Sequence, residues 1–322
     1  MSFCLEDVLA ARTHIKRDIH HTRLIHSTML SKILACKVYI KPEFLQKTGS
    51  FKARGALNYI INDESGASEY TTFSSGNHGQ AVAWAAASRD FKATIFMPED
   101  ASPAKVAAVK NYGGSVHFAG LSSNDRREAC EAYAAEYGAH IIPPYDAYPI
   151  IAGQGSSMVE ILEELPHFDA ALIPAGGGGL LSGCSFVLNT LRPKIDVFAC
   201  EAEAANDLQQ SLQQDRLITI DYPKTIADGM RNLCVGDRNW DIIRTCVREG
   251  LTCSEAAIRE AMGLYATYTK HFVEPTGSVT LATLMTHRER FRGKSVVLLA
   301  SGGNIALSDY ARLVSQDGRD PQ

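Results

Sequence analysis

Short apolar runs punctuate the chain and leave room for one kind of sheet. ATIFMP (93–98), DAALIP (169–174), DVFACE (196–201) and SVVLLAS (295–301) are too short to span a membrane, and they are apolar at successive positions. Strands buried on both faces read this way, and they belong to parallel sheets covered by helices on either side. KVYIK (37–41), YTTF (70–73), SVHF (115–118) and AHII (139–142) supply further strands. Helical patterns fall between them at 5–19, 53–60, 80–88, 103–111, 125–137, 156–164, 180–191, 255–268 and 278–288. The alternation predicts βαβ units and an α/β fold of parallel sheets in three α/β/α layers. PPYDAYP (143–149) interrupts it with a stiff, turn-rich segment that fits a domain boundary.

Composition narrows the function classes. The 322 residues suffice for two domains, and a hydrophobic fraction of 45% is ordinary for a folded globular protein. Net charge is −4 with both signs mixed along the chain, so no basic stripe points to nucleic acid and no polybasic tail to a membrane. A small-molecule partner is what remains. Eight cysteines, at 4, 36, 130, 184, 200, 234, 246 and 253, form no C-x-x-C, and several lie in apolar runs. They read as reduced thiols of a cytoplasmic protein. The first 17 residues carry Glu6, Asp7, Arg12 and Lys16 in an amphipathic pattern, which fits neither a signal peptide nor a membrane span.

Chemistry concentrates in the loops that follow strands. In QKTGSFKARGA (46–56), Thr48, Gly49 and Ser50 supply turn and N-cap chemistry and place Lys52 in the first turn of a helix. The positive end of the helix macrodipole disfavours a cation there, so a neutral or imine-forming amine is easier to reach. A solvated lysine after a turn has the same local signature. AGGGGL (175–180) joins an apolar strand to a helix, and its four glycines let N–H groups converge on an anion such as phosphate. Close packing of strand on helix is the other use of such glycines. The dinucleotide fingerprint fails at Leu181 and Ser182, and a P-loop fails because Arg288 stands where its first glycine belongs. SSGNHG (74–79) also joins a strand to a helix. Its N–H groups and hydroxyls suit a carboxylate, and Asn77 adds an amide that both donates and accepts, although helix capping would use the same residues. SGGN (301–304) repeats the arrangement after the last strand.

KPEFLQKTGSFKARGA, SSGNHGQAVA, MPEDASPAKVAAVKNYGGSV, IIAGQGS, PAGGGGLLSG, TIADGMR, EPTGS and SGGN follow one another over nearly the whole chain. With them the sequence resembles the fold-type II pyridoxal-phosphate enzymes, specifically the serine/threonine dehydratase and serine racemase group with its threo-3-hydroxyaspartate dehydratases. The resemblance implies the tryptophan synthase β-subunit type of fold: a large cofactor-binding domain of residues 1–62 and 149–322, and a small mobile domain of residues 68–146. It implies that Lys52 forms an imine with pyridoxal 5'-phosphate and that Phe51 packs beside the pyridine ring. Asn77 would bond the ring 3-oxygen, Gly176, Gly177, Gly178 and Gly179 would hold the phosphate, and Ser301 would face the ring nitrogen. A neutral hydroxyl at that nitrogen makes the cofactor a weaker electron sink, which favours prompt loss of a β-leaving group over transamination.

The implied reaction turns L-serine, L-threonine or threo-3-hydroxyaspartate into a 2-keto acid and ammonia. Lys52 would act as general base at Cα, with Ser74, Ser75, Asn77 and His78 around the substrate carboxylate. In the family's racemases a serine matching Ser75 moves a proton on the opposite face, so a serine racemase with side elimination is the enzymic rival. A catalytically silent ligand-binding protein on the same fold is the other, and the intact Lys52 speaks against it. Glu201, the Ala205 carbonyl and Asp207 match the family's divalent-cation site, suited to Mg²⁺ or Ca²⁺, with Mn²⁺ a further option. Arg126 aligns with an arginine of the racemase and hydroxyaspartate branch and would pair with a second substrate carboxylate; on its helix it reads equally as a solvated side chain. Tyr145 stands where the relatives differ, and Glu274 of EPTGS falls near the cofactor with no role implied. A cytoplasmic homodimer acting on a small amino acid, with no nucleic-acid or membrane partner, completes the expectation. The run to Gln322 leaves no room for the regulatory C-terminal domain of biosynthetic threonine deaminases.

Overall fold

A computed structural model describes residues 3–74, 76–101, 103–121 and 123–315. Among these, the strands are β1 (Ile25–His26), β2 (Lys37–Pro42), β3 (Glu69–Phe73), β4 (Lys92–Met97), β5 (Ser115–Phe118), β6 (His140–Ile141), β7 (Ala170–Pro174), β8 (Asp196–Ala202), β9 (Glu249–Cys253) and β10 (Ser295–Ala300). They form a larger sheet in the order β1-β2-β10-β7-β8-β9 and a smaller one in the order β5-β4-β3-β6. Every pairing is parallel except β1 with β2, and β10 lies central, with Leu298 opposite both Ile40 and Leu172.

The apolar runs are strands because both faces of the larger sheet are covered. Leu172, Phe198 and Leu298 point into one buried cluster, while Ala171, Ile173, Val197, Val297 and Leu299 point into another on the opposite face. Burying each large apolar side chain contributes roughly 1.5–3 kcal/mol, so the covered sheet is the main source of stability. The smaller sheet buries Tyr70, Ile95 and Met97 against the alanine-rich helix Asn77–Ala87.

The helix Tyr148–Glu164 starts eight residues before the expected 156. Pro149 opens it rather than breaks it, because the first turn has no use for the missing N–H. The glycines in IIAGQGS serve contact: a Cβ on Gly153 would lie 2.6 Å from the Arg54 carbonyl, so the helix packs directly on Lys52–Ile61. Other boundaries move as well. The first helix is Leu5–Ile15, the helix of the SSGNHG loop begins at Asn77, and that of EPTGS spans Pro275–Thr286. The helix Glu255–Leu264 passes into a π-helical turn at Tyr265–Thr269 that ends on Lys270 with φ 62°. Strands β1 and β9 and the helices Thr28–Leu34, Asp207–Gln214, Asp237–Cys246 and Leu307–Ser315 were not evident from pattern, since each is short or buries few apolar residues. Among the described residues no helix is long and apolar enough to cross a membrane.

Candidate active site

Residues at the carboxyl ends of β3, β4, β7 and β10 line one cavity of about 800 Å³ between the two sheets, which is where open parallel sheets present their loops to ligands. Lys52 enters it from the first residue of Lys52–Ile61. Thr48 (φ 59°) and Gly49 (φ 71°) make the turn before it. Ser50 does not cap the helix: Phe51 holds the N-cap position, and the Ser50 hydroxyl is buried without a partner. The helix start is fastened instead by the Phe51 N–H donating to the Ser301 carbonyl at 3.1 Å. Lys52 Nζ donates to the Pro144 carbonyl at 2.7 Å and lies 5.2 Å from the centroid of the Phe51 ring. It reaches the cavity, yet protein surrounds the amine closely enough that burial pushes its pKa down to about 8.

Gly176, Gly177, Gly178 and Gly179 line the same cavity, and Gly179 opens the helix Gly179–Leu191. A Cβ on Gly177 would fall 2.1 Å from the Tyr145 ring, so the backbone lies bare against that side chain. Ser301 follows β10, is 2% exposed, and its hydroxyl has no partner. An unpartnered buried hydroxyl, a bare glycine loop at a helix start and a lysine of lowered pKa fit a cofactor with an acceptor nitrogen, a phosphate and an aldehyde.

Asn77 also lines the cavity and donates from Nδ2 to Glu274 Oε1 at 2.7 Å. Burial, and then Asp228, push the Glu274 carboxyl up to about 8. His78 turns its ring to the Ile142 carbonyl, 3.1 Å away, and burial, with Lys52 beside it, pushes the imidazole down to about 3. Its ring is neutral, so an anion at this loop would meet N–H groups and hydroxyls rather than a charged histidine. The Ser74 hydroxyl accepts the Gly76 N–H at 3.2 Å. Ser75 lies outside the described residues.

Arg126 is half-buried rather than fully solvated. It lines the cavity, its Nη1 donates to the Leu121 carbonyl at 3.0 Å, its Nε is buried without a partner, and burial lowers its pKa. Glu201 and Asp207 sit apart from the cavity lining. Glu201 is fully buried and accepts the Leu208 and Gln209 N–H groups at 3.0 and 2.7 Å. Asp207 is 2% exposed with Oδ2 unpartnered. Burial raises both carboxyls, Asp207 to about 7, and Asp207 raises Glu201 further. Among the described residues no group of three or more His, Cys, Asp or Glu is placed to hold a metal ion.

One pair at the site escaped sequence reasoning. Lys105 Nζ meets Asp228 Oδ2 at 2.6 Å, joining the helix Pro103–Asn111 beside the smaller sheet to the turn Asp228–Met230, and both residues line the cavity. No spacing rule connects residues 123 positions apart.

A lysine whose amine burial pushes down to about 8, a bare glycine loop at a helix start and an unpartnered serine hydroxyl around one cavity fit an enzyme that works through an aldehyde cofactor. The chain belongs to the pyridoxal-phosphate dependent enzyme family, which it matches over residues 15–302. It is 41% identical over 316 residues to the L-threo-3-hydroxyaspartate ammonia-lyase of Saccharomyces cerevisiae, with 97% of each chain covered. It is 38% identical to the serine racemase of Schizosaccharomyces pombe, again with 97% of each covered. The solved structure of a T.th. threonine deaminase is similar with a TM-score of 0.91 at 40% identity, covering 94% of this chain and 99% of that one.

Proposed function

We propose that this chain is a pyridoxal-phosphate-dependent dehydratase converting a β-hydroxy amino acid, L-serine, L-threonine or threo-3-hydroxyaspartate, into a 2-keto acid and ammonia. The observation that carries this reading is Lys52, with its pKa pushed down to about 8, facing the cavity that also holds the glycine loop and the unpartnered Ser301 hydroxyl. The cofactor, when bound, supplies the electron-withdrawing ring that makes the amino-acid Cα proton removable. Gly176 to Gly179 would hold its phosphate at the helix start, Phe51 would pack beside the ring, Asn77 would serve the 3-oxygen and Ser301 the ring nitrogen. Lys52 takes the Cα proton, and the Ser74 to His78 loop holds the substrate carboxylate. The Lys105 to Asp228 ion pair supports closure of a mobile unit of residues 68–146 over the cavity, which excludes water. The test is a substrate panel read as keto acid plus ammonia on the purified holoenzyme; no product from any β-hydroxy amino acid sinks the proposal.

The 38% identity to a serine racemase supports a second reading, racemisation with elimination alongside. Chiral analysis of serine against pyruvate formed separates the two. The unpartnered Arg126 Nε favours a substrate with a second carboxylate. Arg126→Leu is expected to raise KM for threo-3-hydroxyaspartate at least about tenfold, the loss of a charge-assisted hydrogen bond, while KM for serine stays within about twofold.

Glu201, the Ala205 carbonyl and Asp207 are proposed as ligands of Mg²⁺, Ca²⁺ or Mn²⁺. The free Asp207 Oδ2, and a buried Glu201 that accepts two backbone N–H groups, support this. Chelation by EDTA is expected to lower Tm by about 5 °C, as loss of a ligand present at about a hundred times its Kd would, and added Mg²⁺ or Ca²⁺ to restore it. An unchanged melt on chelation would remove the site. A cytoplasmic homodimer is the assembly and compartment we propose; the eight unpaired cysteines fit reducing surroundings.

A further inference from the structure

Asn77 ends a chain of hydrogen bonds whose direction is fixed at its far end. The Thr48 carbonyl can only accept, and the Asn304 amide nitrogen donates to it at 2.7 Å. The second N–H of that nitrogen goes to Asn77 Oδ1, also at 2.7 Å. With its oxygen taken, Asn77 directs its own NH₂ group at Glu274 Oε1, while Glu274 Oε2 accepts the Asn304 backbone N–H at 3.0 Å. Reversing the Asn77 amide would set its NH₂ against the Asn304 NH₂, whose own direction the acceptor-only Thr48 carbonyl fixes, and that bond would be lost. Glu274 is itself held: it is 4% exposed, and its backbone N–H donates to the Gly302 carbonyl at 3.2 Å. One Asn77 N–H has no partner among the described residues, and Asn77 lines the cavity.

We infer that Glu274 is a positioning residue: together with Asn304 it locks the Asn77 amide so that a donor, not an acceptor, is presented to the 3-oxygen of the cofactor. The inference rests on the reading of this cavity as the pyridoxal-phosphate site. An oxygen that carries negative charge needs a donor, and an asparagine free to flip would offer the wrong atom part of the time. The same chain ends at Thr48 in the turn leading into Lys52, so one network holds both the oxygen-side contact and the lysine.

The test is a thermodynamic cycle between Glu274 and the cofactor's 3-oxygen. The affinities of pyridoxal 5'-phosphate and of its 3-deoxy analogue are measured by fluorescence titration on the wild type, Glu274→Ala, Glu274→Gln and Asn304→Ala. The wild type is expected to prefer the natural cofactor about tenfold, the worth of one hydrogen bond to a charged group. Glu274→Ala and Asn304→Ala are expected to lose most of that preference and to alter the visible absorbance of the bound cofactor. Glu274→Gln, whose amide oxygen can accept the same N–H, is expected to keep the preference within about threefold. A full wild-type preference in Glu274→Ala would overturn the inference; if that variant does not fold, a full preference in Asn304→Ala would do so. Failure of the wild type to bind pyridoxal 5'-phosphate at all would overturn the site reading and this inference with it.

Discussion

Lys52→Ala is expected to lower kcat/KM for keto-acid formation by more than about a thousandfold, because in the proposed mechanism it removes both the covalent anchor and the base. Among the described residues lining the cavity the other lysine is Lys105, which Asp228 holds at 2.6 Å. The variant is also expected to show no imine absorbance with added pyridoxal 5'-phosphate, and, with both proteins free of cofactor, to melt no lower than the wild type. The last point follows from the sign of the shift: burial pushes Lys52 down to about 8, so below that pH the fold carries a buried ammonium that disfavours it. The same shift gives a pH signature. Cofactor uptake by cofactor-free wild type is expected to speed up as pH rises through about 8 and then level off, whereas an ordinary lysine would keep gaining toward about 10.4. Turnover by Lys52→Ala within tenfold of wild type would remove the lysine from the mechanism.

What the sequence made legible follows from how local each signal is. The parallel strands were readable because burial on both faces leaves an unbroken apolar run, as in β7 and β10. That Lys52, the four glycines and Ser301 line one cavity was readable because strand-end loops are where such folds place ligands, although the cofactor came from the family resemblance and not from spacing. The start of Tyr148–Glu164 was hidden because its glycines are unfavourable for a helix in isolation and are required by contact with the Arg54 backbone. Helix Asp207–Gln214 was hidden because it is polar, with only Asp207, Leu208 and Ser211 buried. Polar partnerships were the least legible. Asn77 and Asn304 are 227 positions apart, and only the folded chain joins them. Arg126 stood open between solvent and substrate until the fold set it at the cavity with Nε unpartnered.

Glu160→Ala is expected to destabilise the fold by about 3–5 kcal/mol, the cost of leaving a buried charge without its partner. Arg54, two residues beyond Lys52, is fully buried with Lys41, Glu43 and Glu160. Its Nε and Nη2 donate to Glu43 at 2.8 Å each, and Nη1 and Nη2 donate to Glu160 at 2.9 and 2.8 Å. Lys41 Nζ adds a bond to Glu160 Oε2 at 2.6 Å and Arg12 Nε lies 3.6 Å from Glu160 Oε1, so three cations face two carboxylates. Burial alone would raise the Glu160 pKa, yet Arg54 and then Lys41 pull it down to about 2, from an ordinary value of 4.5. A depressed carboxyl contributes its stability in full above the unfolded pKa and loses it as pH falls through the folded one. The gap between wild type and Glu160→Ala is therefore expected to be constant near neutrality and to close between about 4.5 and 2, measured by urea denaturation midpoints. A gap under about 1 kcal/mol at neutral pH would mean that the fold tolerates the buried Lys41 ammonium without its carboxylate, against what buried pairs show. Replacing all four residues with apolar ones of similar volume separates stability from position. Such cores are often as stable as the ionic one, but they lack the forked bonds that hold the first turn of Lys52–Ile61 against Glu43 and Glu160. Recovery of the urea midpoint without recovery of cofactor affinity would show that these charges are there to aim Lys52.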